Sequence, residues 1–464
     1  MEAEPAAQRR QTAGCHVVAM PYPGRGHINP MMNFCKLLAS RNHQHQISIS
    51  FVVTEEWLGF LASEPLPPNF RFATIPNVIP SEMDRAADLP GFVAAAMTKL
   101  EEPFERLLDR LGPPRASVIV YDAFMGWVVD VGNRRNIPLA SFVTTSALVF
   151  SVFYHFDLLA QNGHFPADLS ERGNEVVNYI PGLPPTRLAD LPTFFKSDGF
   201  KSLHLSVEGI SRVRKAQFLL FASIYEIESH TIDALKAAIP FPFHSIGPAI
   251  PYFSLRDNEN DPANVQWLNS QPKASILYIS QGSFMSVPKV QMDEIIAGVA
   301  DSGVRFFWVA PGEANASRIR DRCGGQGLVV RWCDQLKVLC HSSIGGFWSH
   351  CGWNSTKEGV FAGLPFLTYP IFWDQVPNSK MIVEEWKIGW KVRRRGMGAE
   401  SELVTREEIA GTVKRFMDVE SEEGREMRRR AKEVGEICRR ATSSGGSVDA
   451  NIDAFLKGIS GSDF

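Results

Sequence analysis

Residues 332–375 read WCDQLKVLCHSSIGGFWSHCGWNSTKEGVFAGLPFLTYPIFWDQ. No other part of the chain gathers Trp, His, Cys, Gly, Asn and Ser so densely, and the span closes on the acid–amide pair Asp374-Gln375. Ile344–Trp348 is a short apolar run with two glycines and reads as a buried strand. His350 to Ser355 is the turn that follows. Ser355-Thr356-Lys357-Glu358 has the spacing of a capping box, so a helix is expected from there to Gly363-Leu364-Pro365. A strand, a turn and a helix start present backbone N–H groups and a positive dipole end to an anion such as a phosphate. The side chains of His350, Asn354 and Ser355 surround that point, and Gly352 permits close backbone approach. Capping alone would also account for Ser355 and Glu358. Trp332 offers a flat face for a base. Asp374 and Gln375 can accept from and donate to vicinal hydroxyls.

Working outward, the flanking sequence alternates strands and helices. Strands are expected at Cys15–Pro21, Ile47–Thr54, Phe70–Ile75, Ser117–Tyr121, Leu139–Val143 and Phe218–Ser223. Helices are expected at Met31–Ser40, at Phe92–Leu111 as one long element, and at Met125–Asn136, with Gly24 to Pro30 as a tight loop. Residues 240–264 are rich in Pro, Asn and Asp and read as a linker. The alternation then restarts at Ser275–Ser280 and continues through Arg305–Ala310. Thr405-Arg406-Glu407-Glu408 caps a further helix, and Ser421–Thr442 is a charged one. This pattern means parallel sheets covered on both faces, in two doubly wound α/β halves. Ligands in such sheets bind at the carboxyl ends of strands, so the cleft between the halves is the natural site. The expected divisions are a disordered tail at 1–14, a first domain at 15–240, a linker at 241–264, a second domain at 265–442, and a C-terminal helix at 443–464 that packs back on the first domain.

Composition bounds the rest. The chain has 464 residues, 44% hydrophobic and 21% charged, with a net charge of −3. No global basic field exists to collect nucleic acid or an anionic membrane. Seven irregularly spaced cysteines in a chain with a real core point to a reducing compartment rather than a disulfide framework. No stretch reaches the ~18–20 apolar residues of a membrane helix, and MEAEPAAQRRQTAG lacks the apolar core of a secretory signal. A cytoplasmic, monomeric protein is expected. Cys333, Cys340-His341 and His350-Cys351 are not spaced as the close cysteine pairs of structural zinc, and neighbours on a strand face opposite ways, so no metal is expected.

With these residues in hand, Trp332–Gln375 closely resembles the signature box of plant family-1 UDP-sugar-dependent glycosyltransferases. QWLNSQPKASILYISQGS and the SIGP of the linker look like family features too. The resemblance implies a GT-B type α/β fold, two Rossmann-like domains facing across a cleft. It implies that Trp332 stacks uracil, Gln335 lies near the uridine, and Glu358 binds the ribose hydroxyls. His350, Asn354, Ser355 and Ser283 would hold the diphosphate, while Trp353, Asp374, Gln375 and Thr144 meet the sugar. Gln375 goes with glucose, so UDP-glucose would be the donor substrate, with no cofactor. Asp334 stands where most members carry Pro. In PGRGHINP, His27 takes the place of the family's catalytic base and Asp122 that of its partner. An alcohol needs its proton removed to become a good nucleophile, and His is the commonest base for that. The partners implied are a UDP-sugar and a small apolar acceptor, in a pocket where Phe124, Trp127, Phe150 and Phe153 are the candidate walls.

Two rivals remain at this level. Gly24-x-Gly26-x-x-Asn29 after a strand resembles a dinucleotide fingerprint, with Asn29 in place of the third Gly and Glu55 ending the next strand, as in an NAD-type oxidoreductase. A non-catalytic UDP-sugar binding protein would need the base to be lost, yet His27 and Asp122 are both present.

Overall fold

In the computed structural model, residues 14–41, 46–192, 200–255, 263–282, 287–392 and 403–460 are described. The expected tail and Ser283 lie outside these residues.

The first sheet takes β1 (Cys15–Met20), β2 (Ile47–Thr54), β3 (Phe70–Ile75), β4 (Val118–Asp122) and β5 (Leu139–Val143). A short antiparallel pair, β6 (Val176–Val177) and β7 (Thr186–Arg187), stands apart. Then β8 (Phe218–Phe221) and β9 (Phe243–Ser245) complete the parallel order β3-β2-β1-β4-β5-β8-β9. Every residue of β1, β4 and β5 is buried, which is why these strands read as unbroken apolar runs rather than alternating ones. The second sheet contains β10 (Ile276–Ser280), β11 (Phe306–Val309), β12 (Gly327–Val330), β13 (Ile344–Ser349), β14 (Phe366–Thr368) and β15 (Gly389–Lys391), all parallel, in the order β12-β11-β10-β13-β14-β15. In each sheet the chain runs outward on one side of its first strand and then crosses to the other. The switch points therefore fall between β1 and β4, and between β10 and β13.

Several expected elements end differently, each for a local reason. The helix after β1 starts at Arg25, so Gly24 to Pro30 is mostly first and second turn, not loop. Pro30 lies inside it. Lacking an N–H, it cannot bond the carbonyl of Gly26 four residues back. The single helix expected over Phe92–Leu111 is two, Leu89–Thr98 and Glu101–Arg110. Pro103 denies the Lys99 carbonyl its donor in the same way and sets the break. β9 falls inside the stretch expected as linker, where Phe243-His244-Ser245 pairs with β8.

The last helix, Ser447–Ser460, lies on the first sheet. Phe455 meets Phe34, Phe218 and His244, while Arg41 pairs with Asp449 and Asp453. Burying that phenyl is worth about 2–3 kcal/mol, more than exposed ion pairs usually supply.

Candidate active site

Both switch points open into one cleft, with a cavity of about 300 Å³ between them. On the β1/β4 side stands His27, in the first turn of its helix and 24% exposed. Its Nδ1 lies 2.7 Å from Oδ2 of Asp122, the buried last residue of β4. Asp122 Oδ1 accepts from the Phe124 N–H at 3.1 Å, so the carboxylate is held from both ends. Thr144 Oγ1 is also 3.0 Å from Nδ1. An ionised carboxylate only accepts, so it keeps the proton on Nδ1 and leaves Nε2 with a free lone pair. Thr144 thus joins the residues that hold the base, and the N-cap of the next helix is Ser146.

On the β10/β13 side, His350 follows β13. Burial pushes its imidazole down to about 4, against the opposing pull of the Ser280 carbonyl, so the ring is neutral near pH 7. Two glycines box it in. A Cβ on Gly282 would come within 2.9 Å of Nε2, and one on Gly352 within 2.5 Å. The helix starts at Trp353 with Gly352 as N-cap and no side-chain cap. The expected capping box at Ser355–Glu358 therefore does not form. Both residues sit three positions, about one turn, too deep, and both are engaged by Gln335 Nε2, at 2.9 Å from Ser355 Oγ and 2.5 Å from a Glu358 oxygen. Gln335 in turn accepts from Tyr278 OH at 3.0 Å. Its amide is used in orienting Glu358. The N-cap residue contributes no side-chain bond and Asp374 takes the Trp353 N–H, so an anion would meet the N–H groups of Asn354 and Ser355.

Burial pushes the Glu358 carboxyl up to about 7, with Gln335 and Lys357 pulling the other way. Asp374 is pushed up to about 6 by burial, opposed by Asn378 and backbone N–H groups. Trp332 is not on a strand. It follows β12 and stands 75% exposed, an open indole face at the edge of the second sheet.

Six side chains are placed differently from the sequence-based expectation. The Trp353 indole turns away and donates to the Ala222 carbonyl at 3.2 Å. Asn354 reaches across the cleft and donates to the Gly26 carbonyl at 3.0 Å, the acceptor that Pro30 left open. Gln375 uses its carbonyl to accept from Ile371 and Phe372, leaving its NH₂ to offer. Of the four aromatics expected around the acceptor, only Phe124 lines the cavity. Phe150 and Phe153 are core, and Trp127 packs on Phe104.

Asn378 was not singled out from the sequence. It is fully buried and accepts from Ser146 Oγ of the first domain at 3.0 Å. Its NH₂ donates to Asp374 at 2.8 Å and to the Cys351 carbonyl at 3.0 Å. The signal was its place four residues after Asp374, on one helix face. Lys357 and Glu228, both buried, also face each other across the domain boundary. Burial pushes the first down and the second up, each to about 7.

Two parallel-sheet α/β domains whose switch points face one cleft make up the GT-B architecture. Residues 254–418 match the family model described as UDP-glucoronosyl and UDP-glucosyl transferase. UDP-glycosyltransferase 87A1 of Arabidopsis thaliana is 52% identical over 95% of this chain and 99% of its own, and UDP-glycosyltransferase 87A2 of the same plant is 50% identical over 96% of each. The structure superimposes on UGT71G1 of Medicago truncatula complexed with UDP-glucose, with a TM-score of 0.80 at 26% identity over 96% of this chain and 98% of the other. Os79 of O. sativa, in complex with U2F and trichothecene, gives 0.81 at 26% identity over 96% and 100%. The chain belongs to the plant family-1 UDP-glycosyltransferases, and it is a glycosyltransferase enzyme.

Proposed function

We propose that the protein transfers glucose from UDP-glucose to a hydroxyl of a small, largely apolar aglycone, with inversion at the anomeric carbon. The observation that carries this is His27, its Nδ1 held by Asp122 and Thr144, at a cavity whose opposite wall is His350, Asp374 and Gln375. In this reading Nε2 takes the acceptor proton as the oxygen attacks the anomeric carbon in line. The bond from that carbon to the diphosphate breaks as the new one forms. The leaving diphosphate is met by the helix N-terminus around Trp353–Ser355 and by the neutral His350, so no metal takes part. Trp332 stacks the uracil, Glu358 binds the ribose, and Asp374 with the Gln375 amide binds the glucose. The NAD-type alternative finds its turn already occupied, since the Arg85 guanidinium lies over Gly24 and Asn354 holds the Gly26 carbonyl. The net charge of −3 and the seven free cysteines agree with a cytoplasmic enzyme acting as a monomer without nucleic-acid or membrane partners. The test is incubation with UDP-glucose and a panel of phenols and terpenoid alcohols, read by hexose mass gain and anomeric configuration. An α-linked product, or no transfer to any acceptor, would sink the proposal.

The donor site carries its own prediction. A carboxyl raised to about 7 is ionised above that pH and protonated below it. Only the ionised form accepts from both ribose hydroxyls, so UDP-glucose binding should weaken about tenfold from about pH 8 to about pH 6. UDP-glucose is the right probe because both its phosphates are esterified and neither titrates there. His350 stays neutral throughout. Glu358→Gln should flatten the profile. Lys357, Glu228 and Asp374 titrate in or beside the same range but are retained in that variant, so an unchanged slope would reassign the effect to them.

A further inference from the structure

The charged side chains lining the cavity are unbalanced. Arg25 and Arg85 reach it from the first domain, while Asp374 is the one lining carboxylate among the described residues, and it is already engaged by Asn378. The Arg85 guanidinium is pinned in place. Nη2 lies 3.2 Å from Glu82, the group passes over Gly24, where a Cβ would stand 2.3 Å from Nη1, and it lies 5.8 Å above the Phe92 ring. Arg25 leans on Trp57 and Phe60, at 5.7 and 6.0 Å from their ring centres, and makes no ion pair among the described residues. Glu82 couples to both guanidiniums, lies against the Glu56 carboxylate, which accepts its backbone N–H, and pairs directly with Arg85. Arg25 is therefore the lining guanidinium that no carboxylate among the described residues holds directly. The remaining wall is apolar, formed by Leu89, Val93, Met97, Phe124, Phe372 and Trp373.

We propose that the acceptor is a hydroxy acid, an apolar body whose hydroxyl meets His27 while a carboxylate at its other end is held by Arg85 and Arg25. This rests on the transfer reaction proposed above and narrows its acceptor. A planar guanidinium suits a carboxylate in a partly desolvated pocket, where a neutral ester would leave the charge uncompensated. The carboxylate anchors and does not react. The bond formed is from the hydroxyl oxygen to the anomeric carbon, the bond broken is from that carbon to the diphosphate, and the proton goes to His27. The donor diphosphate is the other anion within the cleft. Both arginines, however, pack on first-domain aromatics.

The experiment compares kcat/KM for para-hydroxybenzoate, para-hydroxycinnamate and an ω-hydroxy fatty acid, each beside its methyl ester. Wild-type enzyme should prefer at least one acid over its ester by about tenfold or more, the weight of a charge-assisted contact. Arg25→Gln, at an exposed position, should cut that ratio about fivefold, and Arg85→Gln should cut it further through the acceptor KM. Because Arg85 is packed, its variant is scored only with a melting curve and UDP-glucose binding like those of wild type. If it fails these, Arg25→Gln decides. The proposal is overturned if esters are used as well as acids, if the ratio survives the scored substitutions, if the variants raise the UDP-glucose KM instead, or if the product is an alkali-labile glucose ester, which would put the carboxylate at His27. Transfer to esters alone leaves the glucosyltransferase reading standing. No transfer to any member of the pairs overturns this proposal and leaves the glucosyltransferase reading to the panel of phenols and terpenoid alcohols.

Discussion

His27→Ala should lower kcat for any hydroxyl acceptor about a thousandfold, roughly 4 kcal/mol of barrier, while UDP-glucose binds within about threefold of wild type. The split follows from the architecture. His27 and Asp122 sit at the β1/β4 switch point, while the groups assigned to the nucleotide sit at the β10/β13 switch point on the other sheet. Removing the imidazole takes away the proton acceptor without touching Trp332, Glu358 or the turn at His350. Asp122→Asn should come close to the same loss, about a hundredfold or more, with the side-chain volume unchanged. An amide NH₂ in that place would donate to Nδ1, drive the ring proton to Nε2, and leave the base blocked where it is needed. Thr144→Val should cost less, since Asp122 still holds the ring at 2.7 Å. Calorimetry with UDP-glucose and single-turnover transfer measure the two halves separately. Undiminished turnover in His27→Ala would refute the base assignment, and loss of donor binding would show that the two halves are not separate.

What the sequence made legible was whatever a local signal dictates. β2, β3 and β5 were readable to the residue, because Ile47–Thr54, Phe70–Ile75 and Leu139–Val143 are rich in β-branched and aromatic residues and bounded by polar or turn-forming ones. Asp122 and His350 were readable because one ends a strand and the other directly follows one, whereas His27, well past the end of β1 at Met20, stood out through the family resemblance. The start of the helix at Arg25 was missed because three prolines and two glycines in PYPGRGHINP read as loop, yet Pro30 tolerates an interior position by releasing the Gly26 carbonyl to Asn354. That trade involves residues more than 300 positions apart, and no window along the chain displays it. The same holds for the Trp353 indole, which a neighbouring domain recruits through Ala222, and for Ser146–Asn378. Phe150 and Phe153 were assigned to the acceptor wall on residue type, but an aromatic in an apolar helix is core by default. The wall came instead from Leu89, Val93 and Met97, on a helix with no unusual composition. Ser355 and Glu358 fit a capping pattern perfectly and still do not cap, because Gly352 started the helix earlier and Gln335 claimed both side chains.

Gly352→Ala should raise the Kd for UDP-glucose between about ten- and a hundredfold, the cost of losing one strong hydrogen bond to a charged group. The added Cβ would lie 2.5 Å from His350 Nε2, a distance real contacts do not reach, so the ring must move. On its other side the ring faces Gly282, where a Cβ would stand 2.9 Å from the same nitrogen. The fault cannot be charged to backbone strain, since Gly352 has φ −58 and any residue accepts that value. Gly282, at φ +80, is the opposite case, and Gly282→Ala would mix strain with clash. Only Gly352 isolates the position of the ring. A double-mutant cycle makes the cause testable. His350→Ala alone should weaken donor binding by a similar factor, through loss of the imidazole N–H. In His350→Ala/Gly352→Ala the methyl meets empty space, so the second substitution should add almost nothing. If the two effects multiply, the methyl is blocking the diphosphate directly rather than acting through the ring. If Gly352→Ala binds UDP-glucose like wild type, neither the ring nor the turn holds the diphosphate, and the donor assignment of the whole turn falls with it.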